Sequence, residues 1–525
     1  MGSAHAGYNF FGKKMTIKTS GVKRRGRVKR QATAPTRSVN YRQLRNLFQP
    51  QLIYSDDEVA SLHNTALTVL ENLGIRVLLP EARVIYSNGG AKVTDDMVFI
   101  DRDLVKEALK SAPSSIKLCA PNPDRNQLYE EGCILFMPAG GCPNVYDRVR
   151  GRSPGTLETY QDAVKLVQSY DILHKNPAAP EPQDVPVNVR HLETLNTQLS
   201  LSDKLLSVYA RGKGQTEQSF SVVQTALGLS DKEFSDNVWV TTVINSNSPR
   251  MLDIPMAQGI IDFAKAGQMT VITPFCLAGA MAPITVSGAL VLQHAEALAG
   301  IVLSQLSKSG APVSYGGFSS NVDMKSGSPA FGTPEHLKMQ LGAGQLARYV
   351  NLPWRSAAGS ASNTTDAQGA HENIMGLWGA VLAGANMVIH GAGWLEGGLT
   401  FGFEKLICDI EALQTMAEMF NPTSAAIEEQ AYKAIKDVAP GGHFFATEHT
   451  MDRFDKEFYT PIVADLNNYG TWEANGGLSS DKRATRVWQE ALHNFEPPKK
   501  SEEFSGRAQN LIIELKEQGG AYPVS

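Results

Sequence analysis

Eight short apolar runs, each separated from the next by a stretch of helical periodicity, dominate the middle of this chain. They are Ile134–Ala139, Ile172–His174, Leu205–Ala210, Val238–Ile244, Thr270–Phe275, Val313–Gly317, Pro353–Ala357 and Ala385–His390. Helical patterns lie between and after them, including Leu157–Gln168, Pro255–Ala266, Thr285–Ser307, Pro334–Val350 and Phe403–Phe420. Strands that alternate with helices make βαβ units and a parallel sheet. Eight such units predict a (β/α)8 TIM barrel, with an open sheet as the alternative that the count leaves standing. The second unit has the shortest strand and a connection rich in proline.

The 525 residues exceed what the barrel needs. We expect a basic flexible arm over 1–45, an N-terminal α+β cap over 46–130, the barrel over 131–421 and a C-terminal helical extension over 422–525. The cap begins with an acidic helix start, Ser55-Asp56-Asp57-Glu58, and that helix stops at Gly74. In the extension, helices are expected near Ser424–Ala439 and Ser480–Phe495.

Charge separates the arm from the rest. Residues 1–40 hold ten Lys or Arg and no acid, so a net charge of −4 leaves −14 on the remainder. The run from Lys23 to Arg30 is basic enough to meet phosphates, but no stacking or groove-reading motif accompanies it, so nucleic acid is not an expected partner. The richest apolar stretch, Gly279–Leu306, is interrupted by Gln293, His294 and Glu296 and reads as a buried helix, so no membrane is expected. With no signal-peptide pattern, the expected location is cytoplasmic. Five scattered cysteines form no disulfide framework and no C-x-x-C pair, and the eleven histidines form no ligand cluster, so no metal site is expected.

In such barrels chemistry sits at the carboxyl ends of the strands. Here those ends carry glycines, small polar residues and rings. Phe275, Tyr315, Phe318 and Trp394 fall on that face, where aromatic rings would hold a quaternary ammonium by cation–π attraction. Filling the barrel top is their alternative role. Arg211 and Arg355 are the evident cations near the mouth and would grip a carboxylate, although Arg355 could instead face the helices. The run Gly342-Ala343-Gly344-Gln345-Leu346-Ala347 matches a dinucleotide fingerprint in letters only. It lies inside a helical pattern with no strand leading into it, so it reads as helix packing.

Several ordered stretches resemble the trimethylamine methyltransferase family. They are Val69-Leu70-Glu71-Asn72-Leu73-Gly74-Ile75-Arg76-Val77, Thr365–Glu372 with its Asp-Ala-Gln core, and Leu382-Ala383-Gly384-Ala385-Asn386. Gly391-Ala392-Gly393-Trp394-Leu395-Glu396-Gly397-Gly398 follows, then Gly442-His443-Phe444 with His449-Thr450. The likeness runs over about residues 45–495. It implies a methyltransferase that moves a methyl group from an amine to Co(I) of a cobalamin carried by a separate corrinoid protein, with no cofactor bound by this chain alone. Gly316, Gly317, Gly391 and Gly393 are then the expected points of close corrinoid approach, and a homo-oligomer is expected by family habit.

Archaeal members carry pyrrolysine, whereas the matching stretch here reads Ser362-Asn363-Thr364-Thr365. That difference favours a substrate with permanent quaternary charge, glycine betaine first, then carnitine, proline betaine or choline, with trimethylamine behind them. Asp366, His371, His390 and Glu396 are the candidate catalytic or pocket-shaping residues, with Asn363 beside the substrate. For Asp366, capping a helix is an equal reading. A betaine-binding barrel without catalysis and a nucleic-acid-associated protein using its basic arm are the competing functions.

Overall fold

A computed structural model describes residues 41–524. The basic run Lys23–Arg30 lies outside them. Eight strands make the central sheet: β1 (Leu44–Arg45), β2 (Cys133–Pro138), β3 (Leu206–Ser207), β4 (Val240–Ile244), β5 (Met269–Ile272), β6 (Val313–Gly316), β7 (Trp354–Ala357) and β8 (Met387–Ala392). Their spatial order is β1-β2-β8-β7-β6-β5-β4-β3. Only β1 runs antiparallel to its neighbour; the other pairs are parallel. The sheet curls into a half-barrel.

Seven of the eight expected runs thus become regular parallel strands. Ile172–His174 does not, and the physical reason lies just downstream. Pro177, Pro180 and Pro182 lack the N–H that a ladder needs. The segment instead touches its neighbours singly. His174 N–H donates to Phe136 O at 2.9 Å and Asn176 N–H to Leu205 O at 3.0 Å, and isolated parallel bridges join Gly140 to Ala178 and Lys175 to Leu205.

Alternation along the strands builds two cores. Phe136, Val388, Tyr315, Ile272 and Ile244 face the helices. Leu135, Met137, Met387, Ile389, Met269 and Val271 face inward and meet Ile116, Leu118 and Tyr129. The last three belong to a hairpin, Ile116–Leu118 with Gln127–Tyr129. It plugs the inner core, and the Tyr129 hydroxyl lies 2.5 Å from Ser314 Oγ on β6.

The helices around the sheet are α1 (Asp56–Thr68), α2 (Leu157–Ser169), α3 (Arg190–Leu201), α4 (Lys213–Leu227), α5 (Ile254–Ala266), α6 (Val286–Ser307), α7 (Pro334–Tyr349), α8 (Ala367–Leu382) and α9 (Phe403–Met419). The Ser55–Glu58 capping box starts α1 as expected, and Gly74, at φ +63°, ends the helical segment. By length and composition α6 would cross a membrane, yet 78% of its apolar window is buried against protein. The fingerprint-like glycines sit mid-helix in α7. A Cβ on Gly342 would lie 2.5 Å from Leu290 Cδ1, and one on Gly344 2.4 Å from Ala383 O, so both serve close packing.

In the C-terminal part, α10 (Ser480–His493) matches expectation, whereas the expected helix at Ser424–Ala439 shrinks to Tyr432–Asp437. A further helix, α11 (Ser501–Glu517), was readable from the spacing of Phe504, Ala508, Leu511, Ile512 and Leu515 but was not expected. Glu404, fully buried at the start of α9, anchors α10 by accepting from Thr485 Oγ1 and Trp488 Nε1, each at 2.8 Å, and from Arg148 N–H at 3.2 Å.

Glu404→Ala leaves Trp488 Nε1 and Arg148 N–H unpaired, while Thr485 Oγ1 keeps Asp481 O. At roughly 1–3 kcal/mol for each buried unsatisfied group, it should lower stability in urea by about 3 kcal/mol and expose α10 to protease. Wild-type stability with intact α10 would refute the anchor. Burial also pulls His174 and His336 down to about 4. Both stay neutral in the fold while the unfolded chain protonates near 6.5, so unfolding takes up protons between those values and stability falls with decreasing pH. Each contributes a slope of up to about 1.4 kcal/mol per pH unit. Thermal melts between pH 7 and 5 should show it, and His336→Gln should flatten the slope by about one proton.

Candidate active site

The carboxyl ends of β5 to β8 bring a cluster of rings around one guanidinium. Phe275 follows β5 and Phe318 follows β6; their rings stack with centroids 4.9 Å apart. Phe318 also lies 5.6 Å from Phe331, 5.4 Å from His390 and 5.3 Å from Trp394. Phe331 lies 5.1 Å from Trp394. His390 and Trp394 stack nearly parallel, with centroids 4.1 Å apart and planes at 14°.

Strand alternation aims Arg355 into this cluster. Its neighbours in β7 face the helices: Trp354 Nε1 donates to Gly384 O, and Ser356 Oγ accepts from Gln340 Nε2. Arg355 therefore points inside, 2% exposed, with its guanidinium carbon 5.0 Å from the Phe318 centroid. Its Nε and Nη1 have no partner, and none of the ion pairs among the described residues includes it. Burial pulls its pKa down from the ordinary arginine range. Such a charge is costly unless an anion meets it.

His390 has φ +60°, a conformation that residues other than glycine rarely hold outside functional sites. Its Nδ1 accepts from Gly140 N–H at 3.3 Å, which leaves Nε2 as the protonated nitrogen of the neutral ring. Burial, and then the charge of Arg355, hold its pKa well below the usual histidine value. Both favour the neutral ring. Trp394 fits because two glycines leave it room. A Cβ on Gly359, at φ +120°, would sit 1.8 Å from its ring, and one on Gly398, at φ +103°, 2.4 Å away.

Of the other residues singled out in the sequence, none joins the ring cluster. Tyr315 points to the helix layer, where its hydroxyl lies 3.0 Å from His294 Nδ1. Arg211 stacks on Tyr209 and donates to Glu181 at 2.6 Å, a carboxylate that Arg190 shares. Glu396 accepts from Arg152 at 2.8 Å and Thr400 at 2.6 Å. Asp366 caps α8, accepting from Gly369 N–H at 2.9 Å, and those hydrogen bonds lower its pKa. His371 and Asn363 are exposed. Gly316 is held between strands, where a Cβ would lie 2.1 Å from Thr273 Oγ1, and Gly317 packs on Ala343. Gly391 lies within β8 near Met137 O, and Gly393 donates to Asp409 at 2.9 Å.

Sequence reasoning missed Phe331, Gly359 and the helix residues behind them. Phe331 precedes the Thr333 cap of α7 rather than ending a strand, so strand-end reasoning had no means of reaching it. Taken together, the cluster sets aromatic faces, which attract cations, beside one unpartnered guanidinium, which attracts anions.

The sequence comparisons converge. Residues 22–520 match the family described as trimethylamine methyltransferase. Glycine betaine methyltransferase of Desulfitobacterium hafniense strain Y51 is 34% identical over 89% of this chain and 98% of its own. Trimethylamine methyltransferase MttB of the same species, strain DSM 10664 / DCB-2, is 29% identical over 89% of this chain and 94% of its own. Among solved structures, the monomethylamine methyltransferase of Methanosarcina barkeri aligns over 88% of both chains with 8% identity and a TM-score of 0.46. The chain belongs to the trimethylamine methyltransferase family and is a methyltransferase.

Proposed function

We propose that this enzyme takes a methyl group from glycine betaine and delivers it to Co(I) of a cobalamin carried by a separate corrinoid protein. One observation carries the substrate: the buried, unpartnered guanidinium of Arg355 beside a wall of rings. A carboxylate there would receive charge-assisted hydrogen bonds along one edge of that guanidinium, with His390 Nε2–H as a further donor. The trimethylammonium would lie on Phe275, Phe318, Phe331 and Trp394, each well-placed ring contributing up to about 2 kcal/mol out of water. The 34% identity to a protein named for glycine betaine supports the same reading.

Charge decides against donors without an anion. Choline or protonated trimethylamine would place a second cation near Arg355 with nothing between them. At ~6 Å and an effective dielectric constant of ~20, that repulsion is roughly 3 kcal/mol.

The chemistry asks little of the protein beyond placement. The corrinoid, here the methyl-accepting substrate, supplies the nucleophilic electron pair. As that pair bonds to the methyl carbon, the C–N bond breaks and its electrons return to nitrogen, leaving neutral dimethylglycine nitrogen with no proton transferred. The rings and Arg355 hold the N–CH3 bond in line and exclude water. The corrinoid protein would approach at the carboxyl ends of the strands. We read the irregular segment around Lys175 as the eighth stave that completes a barrel beneath that mouth. A cap over 46–130 and an extension over 422–525 would flank it, in a cytoplasmic enzyme.

An anaerobic assay with Co(I)-cobalamin, followed by absorbance across glycine betaine, carnitine, proline betaine, choline and trimethylamine, tests this directly. We expect turnover with glycine betaine, and a kcat/KM about 100-fold lower for Arg355→Gln, the loss of a buried charged pair at ~2.7 kcal/mol. Preferred turnover of choline or trimethylamine overturns it. Saturable binding without transfer, even with the native corrinoid protein present, would leave a binding barrel instead.

A further inference from the structure

We propose that Asn373 of α8 and Asp409 of α9 are positioning residues that fix the Trp394 wall and so set the affinity for the quaternary ammonium group. This rests on the glycine betaine reading and deepens it, because it concerns how that site keeps its shape.

Both side chains are buried polar groups whose hydrogen bonds converge on backbone beside one ring. Asn373, 1% exposed, accepts from Gly359 N–H with Oδ1 and donates to Gly391 O with Nδ2, each at 3.1 Å. One amide thereby ties the segment after β7 to the end of β8. Asp409, 4% exposed, accepts from Gly393 N–H at 2.9 Å with Oδ2, while its Oδ1 meets Lys405 Nζ at 2.5 Å. Gly402 N–H donates to Gly393 O at 2.9 Å and closes the set.

The three glycines held this way surround Trp394. Gly393 precedes it, Gly391 stands two residues further back, and Gly359 is where a Cβ would strike the ring at 1.8 Å. The indole has no slack on that side, and its stacking on His390 is a consequence. A buried ion pair such as Lys405–Asp409 is a weak source of stability compared with apolar packing of the same volume. Its use here, on the residue before the wall, fits positioning better than stabilisation.

Asn373→Ala and Trp394→Ala, alone and together, form the test, with glycine betaine affinity read by calorimetry and folding checked by thermal melts. Asn373→Ala should weaken binding about tenfold (~1.4 kcal/mol). In the Trp394→Ala background it should add less than about twofold, because its effect passes through the ring. Losses that multiply, or no loss in the single variant, overturn the proposal. If Asn373→Ala does not fold, Asn373→Ser carries the same cycle, since the shorter hydroxyl cannot span Gly359 N–H and Gly391 O together. A second readout needs no ligand. Trp394 emission, isolated by difference from the matching Trp394→Phe protein, should shift to the red in Asn373→Ala as the ring leaves its slot. An unchanged spectrum overturns the positioning role, whereas failure of wild type to bind glycine betaine, with the spectral shift present, would overturn only the substrate.

Discussion

A positive charge buried without a partner is the constraint around which this site is organised. Arg355 lies inside a curled parallel sheet, against the face of Phe318, with two of its nitrogens unmet. Left alone in a low-dielectric interior, such a charge is a burden on the fold. Met by a carboxylate, it becomes a strong and directional anchor. In the proposed reading, the ring cluster beside it would supply the complementary half, a surface for a cation that cannot donate hydrogen bonds. A zwitterion bearing both groups satisfies the two demands at once.

The scaffold holds these parts by ordinary means. Strand alternation sends Arg355 inward while Trp354 and Ser356 bind the helix layer. The Tyr129 hairpin packs on the inward apolar side chains. Above that core the segments after β7 and β8 are stitched together: Glu396 N–H donates to Ser362 O at 2.8 Å and Gly397 N–H to Ser360 O at 3.0 Å. Glu372 of α8 gathers Ser360 Oγ and the N–H groups of Ala361 and Ser362 onto one carboxylate oxygen. Much of the loop chemistry that stands out in the sequence is spent on this stitching.

That division explains what the sequence disclosed. The rhythm of apolar runs located seven strands, since periodicity reports which face is buried. It also set the second unit apart by its short strand and proline-rich connection, and there the eighth run is reduced to isolated bridges. Phe275, Phe318 and Trp394 were readable because rings at strand ends are uncommon. Tyr315 was indistinguishable from them by type, but its place one residue before Gly316 in β6 turns it to the helices. Arg211 looked like an equal candidate to Arg355. Its carboxylate partner, Glu181, lies 30 residues away and only the fold brings them together. Asn373 and Asp409 lie on helices, where Lys405 and Asp409 read only as an ordinary i,i+4 pair, and their remaining partners are backbone groups of distant glycines.

The central claim is that the site requires an anion together with a quaternary ammonium, and calorimetry with glycine betaine and choline tests it most directly. The two ligands share the trimethylammonium group and differ in the carboxylate that Arg355 would meet. The account predicts saturable binding of glycine betaine at a concentration where choline gives no heat. Equal binding of the two, or tighter binding of choline, would contradict it.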